Sequence, residues 1–526
     1  MTQSMHKKVG IASAIMMASV FLSRMTGLVR EMVIAYVAGA GGSVDAYQIA
    51  FVIPEILNHL AACGFLSVTF IPIFTGYLVQ GRHDEGWHVF SNILNCFGLI
   101  LALLTVTAFV FAPQLIRILA PGLDHPELIQ AAVRMTRIIM PAQLFFFAGG
   151  LFMAVQFAGE KFFIPALAPL IYNLGIITGG VVLAPWVGMD GFAWGVLGGA
   201  FIGNFILQYW GASKMGMKWY PVFQMKHPDL RRYVLLTLPL MLGLTMTFST
   251  EIFLKFFGSF LPRGGIAALN YALRIMFMLV GLFGQAVGTA SFPFLARLAA
   301  EKQFERMNRL LNSSLCYLSV VIPFSVLLMV LRYEVITIIF QRGRFDVAAT
   351  HLTAGALLWL LTGACGFAAQ TVVVRGYYAV QNTLLPAILG TVAVVAAVPF
   401  YWYGLQIAGI AGVAMAVSVS VVIQVLLLYG IWCRISQNSM WKSVVETYGK
   451  IAGLSVCLWG ILEMLKKSLY TVTDAASFAG AWIVLSGVAV AFVILLTAGG
   501  YLLRIREITE LLMQLIRKIR RLKYRS

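Results

Sequence analysis

Apolar positions in this chain neither alternate nor keep to one helical face; they run on. Stretches of about 20 residues or more are hydrophobic on every side and are separated by short polar turns such as 80–86. A helix that is apolar all round belongs in lipid or in a very large core. A strand of a membrane barrel would instead alternate apolar and polar over about 10 residues. The pattern therefore predicts an all-α, polytopic membrane protein of about fourteen transmembrane helices. The predicted spans are 10–38, 44–76, 87–113, 127–157, 163–184, 189–212, 233–261, 265–296, 308–331, 348–380, 384–404, 409–433, 446–465 and 477–503. Pro54, Pro72, Pro141 and Pro293 fall inside spans and predict kinked or tilted helices.

Composition strengthens this reading. Of 526 residues, 60% are hydrophobic and 11% charged, and the mean hydropathy is +0.88. A soluble domain carries about 25% charged residues. In lipid every backbone polar group must be paired internally, which again leaves helices for continuous apolar runs. The six cysteines (Cys63, Cys96, Cys316, Cys365, Cys433 and Cys457) lie in apolar runs without C-x-x-C spacing and read as small core residues. The seven histidines form no metal pattern. Lys7 and Lys8 precede an apolar run, but no small-residue cleavage site follows and Arg24 interrupts it, so a retained first helix is predicted.

Charge sets the predicted orientation. With the N-terminus in the cytoplasm, 24 Lys and Arg fall in cytoplasmic segments and 7 (Arg117, Arg263, Arg332, Arg342, Arg344, Lys466 and Lys467) on the opposite side. By the positive-inside rule both ends are cytoplasmic. The net charge of +18 then reflects topology and attraction to anionic lipid, with no need for nucleic acid. The basic tail, 504–526, reads as an amphipathic helix lying on headgroups.

The chain repeats itself. Pro72 in Phe70-Ile71-Pro72-Ile73-Phe74 matches Pro293 in Ser291-Phe292-Pro293-Phe294-Leu295. Pro165, after Ala154-Val155-Gln156 and a turn, matches Pro386, after Ala379-Val380-Gln381 and a turn. Gly188-x-x-Gly191-x-Ala193 matches Gly409-x-x-Gly412-x-Ala414. All three pairs are offset by 221 residues. The offset covers six spans, an even number, so the repeats are parallel and related by an axis along the membrane normal. Two six-helix lobes are expected, 1–225 and 226–436, with a cavity between them; the last two spans, 437–503, lie outside the duplication. Such a layout suits alternating access.

Seven basic residues fall within spans: Arg24, Arg30, Arg134, Arg137, Lys255, Arg274 and Arg375. A cation in hydrocarbon costs a few kcal/mol or more and so faces a cavity or a partner. Arg134 and Arg137, one turn apart near a span end, are expected to snorkel. Lys255 is expected to pair with Glu251, four residues earlier. Arg375, near the inner end of span 10, divides evenly between a structural and a cavity role. Arg24 shares a helix face with Glu31, Arg30 points about 120° away from it, and Gly27 between them could bend the helix. Arg274 has no acid within one turn. Arg24, Arg30 and Arg274 are the best candidates for lining a cavity that receives an anion, because arginine binds phosphate bidentately and keeps its charge. Asp45, just after Gly41-Gly42, either caps its own helix, neutralises a cavity arginine or takes part in gating.

These residues bring a family into view. Ser23-Arg24-x-x-Gly27-x-x-Arg30-Glu31, Gly39-Ala40-Gly41, Asp45-Ala46-Tyr47, Phe51-x-x-Pro54 and Gly64-x-x-Ser67-x-x-Phe70-x-Pro72 resemble the MurJ (MviN) lipid II flippases of the MOP exporter superfamily. So do Pro165-Ala166-x-Ala168-Pro169-x-x-x-Asn173, Gly288-Thr289 with Pro293, Phe340-x-x-Gly343-x-Phe345 and Tyr378-Ala379-x-Gln381-x-Thr383-x-x-Pro386. The resemblance runs in order through spans 1–12. It implies a V-shaped, two-lobed transporter with a cationic central cavity. The substrate would be lipid II, the undecaprenyl-pyrophosphate-linked peptidoglycan precursor of cell wall biogenesis, moved from the inner to the outer leaflet. It implies substrate-binding roles for Arg24, Arg30, Arg274 and Asp45, a groove for the lipid tail in 437–503, and a monomer.

The chain also departs from the family pattern. Asn58-His59 stand where a further cavity arginine is usual, so Asn58, His59 and Arg375 are possible substrate-cavity residues. Cys63 stands where an acid often precedes the glycine, and Leu273 where one often precedes the Arg274 position. The place of a sodium-binding acid in span 7 is apolar, near Leu254, which leaves a coupling cation (Na+ or H+) open.

The alternative to a lipid II flippase is a flippase of another lipid-linked oligosaccharide of the O-antigen or exopolysaccharide type. An enzyme is not expected: there is no D-x-D, no H-E-x-x-H and no large extramembrane loop to carry acid–base or metal chemistry. No cofactor or metal is expected. A scaffold would not need unpaired arginines in its spans.

Overall fold

The computed structural model describes residues 2–60, 66–473 and 477–510, without the side chains of 2–14, 60, 66–68 and 238–249. Cys63 and the tail beyond Glu510 lie outside the described residues, as do the side chains of Lys7 and Lys8. Every regular element among the described residues is helical. Nine helices there are long and apolar enough to cross a membrane, or ten with Val347–Thr362 and Ala364–Ala379 taken as one span bent by 43°. The number fourteen differs for concrete reasons. One helix, Leu384–Ile435, carries two predicted spans, joined at Gly409 (φ 52°, ψ −123°). The first and seventh predicted spans fall on the helices Thr2–Ala38 and Pro228–Gly258, and the second on the shorter helices Gly42–Ala50, Val52–Leu60 and Leu66–Val79, none of which is among the nine.

The chain forms two compact units, residues 1–267 with 343–345, and residues 268–342 with 346–526. The first holds α1 (Thr2–Ala38), α2 (Gly42–Ala50), α3 (Val52–Leu60), α4 (Leu66–Val79), α5 (His83–Val110), α6 (Ala112–Leu119), α7 (Pro126–Ile139) and α8 (Ala142–Ala158). It continues with α9 (Phe163–Val187), α10 (Asp190–Gly199), a π-helical turn over Ala200–Ile206, α11 (Leu207–Ser213) and α12 (Pro228–Gly258). α1 is one continuous helix through Gly27. An aromatic cluster of Phe70, Phe74, Trp87, Phe90 and Phe152 packs α4, α5 and α8 together.

α9 and α10 are held by glycines. Gly175 and Gly179 on α9 face Gly195 and Gly199 on α10, the small-xxx-small pattern by which helices in lipid bring their backbones together. A Cβ on Gly195 would lie 2.6 Å from the Gly175 carbonyl oxygen and 2.9 Å from the Ile176 Cα.

The second unit takes the remainder of α13 (Gly265–Val280), which begins in the first. It adds α14 (Ala286–Ala300), α15 (Phe304–Leu318), α16 (Val321–Val330), α17 (Arg332–Ile339), α18 (Val347–Thr362), α19 (Ala364–Ala379), α20 (Leu384–Ile435), α21 (Trp441–Tyr470) and α22 (Phe478–Leu502). α21 packs on α15 and α16, and α22 on α17 and α21. The start of the basic tail departs from the sequence reading. Ile505 and Ile508 are buried, Ile508 against Gly500, and Tyr317 donates to Glu510. The apolar face of this segment has a protein partner, so up to Glu510 it does not need headgroups.

The 221-residue offset reaches far beyond the three motifs. α5 starts at His83 and α15 at Phe304; α7 at Pro126 and α18 at Val347; α9 at Phe163 and α20 at Leu384. α4 ends at Val79 and α14 at Ala300; α8 at Ala158 and α19 at Ala379. Left-handed backbone recurs with the same offset at Gly81 and Lys302, Glu160 and Gln381, Gly188 and Gly409, and Gly216 and Gln437. The compact units do not follow this repeat, because α12, the counterpart of α1, packs within the first unit on α3–α6.

Gly195→Leu should force α9 and α10 apart and cost about 2 kcal/mol or more. The prediction is a lower melting temperature in detergent and less folded protein in membranes. Gly198→Ala, whose Cβ would meet nothing within 4 Å, should lose neither.

Candidate functional site

In the first unit, α1 and α9 place the first pair of predicted arginines. Arg24 is exposed on α1 and has no hydrogen bond or ion pair among the described residues. Arg30, six residues on, is partly buried. Its Nη2 donates to Glu31 Oε1 at 2.6 Å and its Nη1 to Asn173 Oδ1 at 3.1 Å. Glu31 therefore pairs with Arg30 and not with Arg24. Adjacent helical residues point about 100° apart, but a long guanidinium closes that gap, and Asn173 on α9 holds it there. Asn173 also donates to the Ser23 carbonyl at 3.3 Å and the Thr26 hydroxyl at 3.4 Å. Sequence reasoning recorded Asn173 only as a motif letter. A polar side chain in an apolar run, level with Arg30, was the available signal.

Asp45 is buried, and both its oxygens are committed. Oδ2 accepts from the Gly264 amide at 2.5 Å and Oδ1 from the Ala267 amide at 2.7 Å. Those are the orphan amides at the start of α13, so Asp45 caps a helix, as one reading expected, but it caps α13 and not its own α2. Sequence offset cannot reveal a cap supplied from more than 200 residues away. Gly264 has φ 89° and its missing Cβ leaves room for the Ala40 carbonyl.

Lys255 also departs from expectation. It is buried on α12 and donates to Glu55 of α3 at 2.9 Å, not to Glu251. The i,i+4 partner loses because Lys255 turns inward onto α3. Tyr172 lies within electrostatic range of both Arg30 and Glu55, so these polar groups share one neighbourhood. Asn58 and His59 follow on α3. His59 Nδ1 meets the Glu55 carbonyl at 2.7 Å, and Asn58 Oδ1 is buried without a hydrogen-bond partner among the described residues.

Arg134 and Arg137 do not simply snorkel. Arg134 pairs with Asp190 at the start of α10, and Arg137 Nε donates to the Phe109 carbonyl at 3.1 Å.

The second unit holds the other candidates. Arg274 is partly buried on α13. Arg375 on α19 reaches α14, where its Nη2 meets Thr289 Oγ1 at 3.2 Å. Its Nη1 occupies the space that a Cβ on Gly288 would take. The Gly288-Thr289 pair therefore acts as the seat of a guanidinium. Lys466 is not the solvated loop cation that the charge count assumed. It lies inside α21, 4% exposed, and donates to the Val330 carbonyl at 2.6 Å and to Glu334 at 3.0 Å. Tyr470 donates to the other Glu334 oxygen. Among the cysteines, Cys96 and Cys316 are buried as expected, but Cys457 is exposed. Among the described residues no group of three His, Cys, Asp or Glu could hold a metal ion.

The family model described as lipid II flippase MurJ matches residues 34–479. The chain belongs to this family. A lipid II flippase MurJ of Burkholderia cenocepacia is 28% identical over 416 residues, 78% of this chain and 80% of that one. A probable lipid II flippase MurJ of Buchnera aphidicola subsp. Baizongia pistaciae is 28% identical over 371 residues, 70% and 72% of the two chains. A solved lipid II flippase MurJ in an inward closed conformation shares the fold, with a TM-score of 0.72 and 24% identity over 91% of this chain and 98% of that one. An inward-facing multidrug resistance MATE transporter of the MOP superfamily follows, at TM-score 0.65 and 14% identity over 80% and 96%. The chain is thus an all-α, multi-pass membrane protein of a flippase family.

Breaking the Lys466–Glu334 pair from one side leaves a buried charge. Lys466→Met should lower stability by about 3 kcal/mol or more, and Lys466→Met with Glu334→Leu should recover most of it. Thermal unfolding of the two variants and the parent in one detergent measures the difference.

Proposed function

We propose that this protein flips lipid II from the inner to the outer leaflet of the bacterial cytoplasmic membrane by alternating access, with both termini in the cytoplasm. The observation that carries this reading is the family match over residues 34–479 on an all-helical membrane fold. The task is transport: the pyrophosphate is bound and released, and no bond is made or broken. Cationic residues within spans support it. Arg24 offers an uncompensated guanidinium, and Arg30 keeps partial exposure while Glu31 and Asn173 orient it. Arg274 and Arg375 are the proposed contributors from the second repeat, with Asn58 and His59 as further substrate contacts. Asp45 serves by fixing the start of α13 rather than by touching an anion. The recurring helix boundaries support lobes at 1–225 and 226–436, with 437–503 as the groove for the lipid tail. We place a coupling cation and a monomeric state in the same proposal.

The test is expression in cells depleted of their own lipid II flippase, with outer-leaflet lipid II as the readout. Restored lipid II is the expected result. Arg24→Ala should abolish it at unchanged protein level, since Arg24 is exposed and has no hydrogen bond or ion pair among the described residues. Arg274→Ala should abolish it as well. Arg30→Ala should also lower the amount of folded protein, because it removes the contacts of Arg30 to buried Glu31 and to Asn173 on α9. If the parent inserts well yet fails here and also fails with purified lipid II from its own source, another lipid-linked oligosaccharide becomes the substrate.

A further inference from the structure

A second set of arginines stands apart from those proposed to meet lipid II. Arg117 on α6, with Arg134 and Arg137 on α7, lines a groove of about 640 Å³ in the first unit, and most of its remaining wall is apolar, Phe109, Val133 and Trp194 included. The cations are unevenly satisfied. Arg134 is paired with Asp190. Arg137 uses only its Nε, on the Phe109 carbonyl, with its guanidinium 5.2 Å from the centre of the Phe109 ring. Both Nη atoms of Arg137, and all of Arg117, have no acceptor among the described residues. A cation at a membrane span without an anion is costly, and the fork of a guanidinium matches a phosphate.

Trp194 also borders a second hollow of about 360 Å³, which runs along the glycine-lined crossing of α9 and α10 past Leu174, Leu183 and Ile202. Thr178 is the one polar side chain in its wall. A free phosphate would satisfy the arginines but leave this trough unfilled. A phosphate that carries an acyl chain fits both parts, and the surrounding bilayer supplies it.

We propose that the groove is a binding site for an anionic glycerophospholipid. Its phosphate is held by Arg117 and the Nη atoms of Arg137, and an acyl chain passes Trp194 into the α9–α10 trough.

The test uses the full chain in phosphatidylcholine nanodiscs doped with phosphatidylglycerol that carries a diazirine in its acyl chain. After irradiation, adducts are mapped by mass spectrometry. Labelling within 171–202 should exceed that from the matching phosphatidylcholine probe at least about fivefold, the factor one basic residue contributes near a membrane surface. In Arg117→Gln/Arg137→Gln it should fall to the phosphatidylcholine level while adducts elsewhere in the chain persist, which shows that the variant is folded and inserted. Equal labelling by the two probes would overturn the proposal, as would labelling that survives the double substitution. Displacement by an equimolar amount of lipid II would reassign the groove to the transported lipid and overturn it as well.

Discussion

Water is missing from around most of this backbone, and the rest of the structure follows from that. Amides and carbonyls that cannot reach solvent must find each other within a helix. The same demand then falls on every polar side chain carried into a span. Lys466 shows it met in full: its ammonium has a carbonyl and a carboxylate, and the second carboxylate oxygen takes the Tyr470 hydroxyl. Asp45 shows it met from the other side, a buried carboxylate placed on helix-end amides that would themselves have been orphans. Arg30 and Lys255 are anchored in the same way. In each case the polar contact also fixes where one helix lies against another, which apolar packing in lipid specifies only weakly.

Duplication let the chain solve these problems twice with one set of boundaries. Helices begin and end at the same offset in both copies, and so do the turns that need a left-handed residue. Only at Gly188 and Gly409 is that turn glycine in both copies. At the other three pairs, Lys302, Glu160, Gln381 and Gln437 adopt a conformation that costs a side chain about 1 kcal/mol. All four side chains are exposed, so the unusual backbone disturbs no packing. That is why sequence comparison finds few matched turns where the backbone has four.

The helices and the repeat were legible because both are written in local pattern: uninterrupted hydrophobicity, prolines and glycines. The positions of the cations were legible for the same reason, since a charge in an apolar run stands out. Their partners were not. Helical periodicity put Glu31 on the face of Arg24 and Lys255 one turn from Glu251, and one of three readings of Asp45 had it cap its own helix. Tertiary geometry gave each a different partner: the neighbouring arginine steered by Asn173, a glutamate 200 residues away, and the start of α13. Lys466 was misread as loop because a hydropathy boundary cannot tell a solvated lysine from one whose ion partner comes from another helix.

Lysine and arginine meet this demand in different ways. Buried in fixed pairs with a carboxylate are Lys255 and Lys466, point charges that a single oxygen can satisfy. The spans and their ends also hold cations with unused capacity: Arg24, Arg117 and the outer nitrogens of Arg137. All are arginines. A lysine left without a fixed anion in a low-dielectric setting sheds its proton, and the site loses its charge. Arginine does not, because its pKa is too high for burial to neutralise it. A position that must stay cationic while its anionic partner comes and goes therefore calls for arginine, and a position whose partner never leaves can use lysine. On that ground the guanidiniums of Arg24, Arg117 and Arg137, unpaired at one or more nitrogens among the described residues, are the ones suited to an anion that comes and goes.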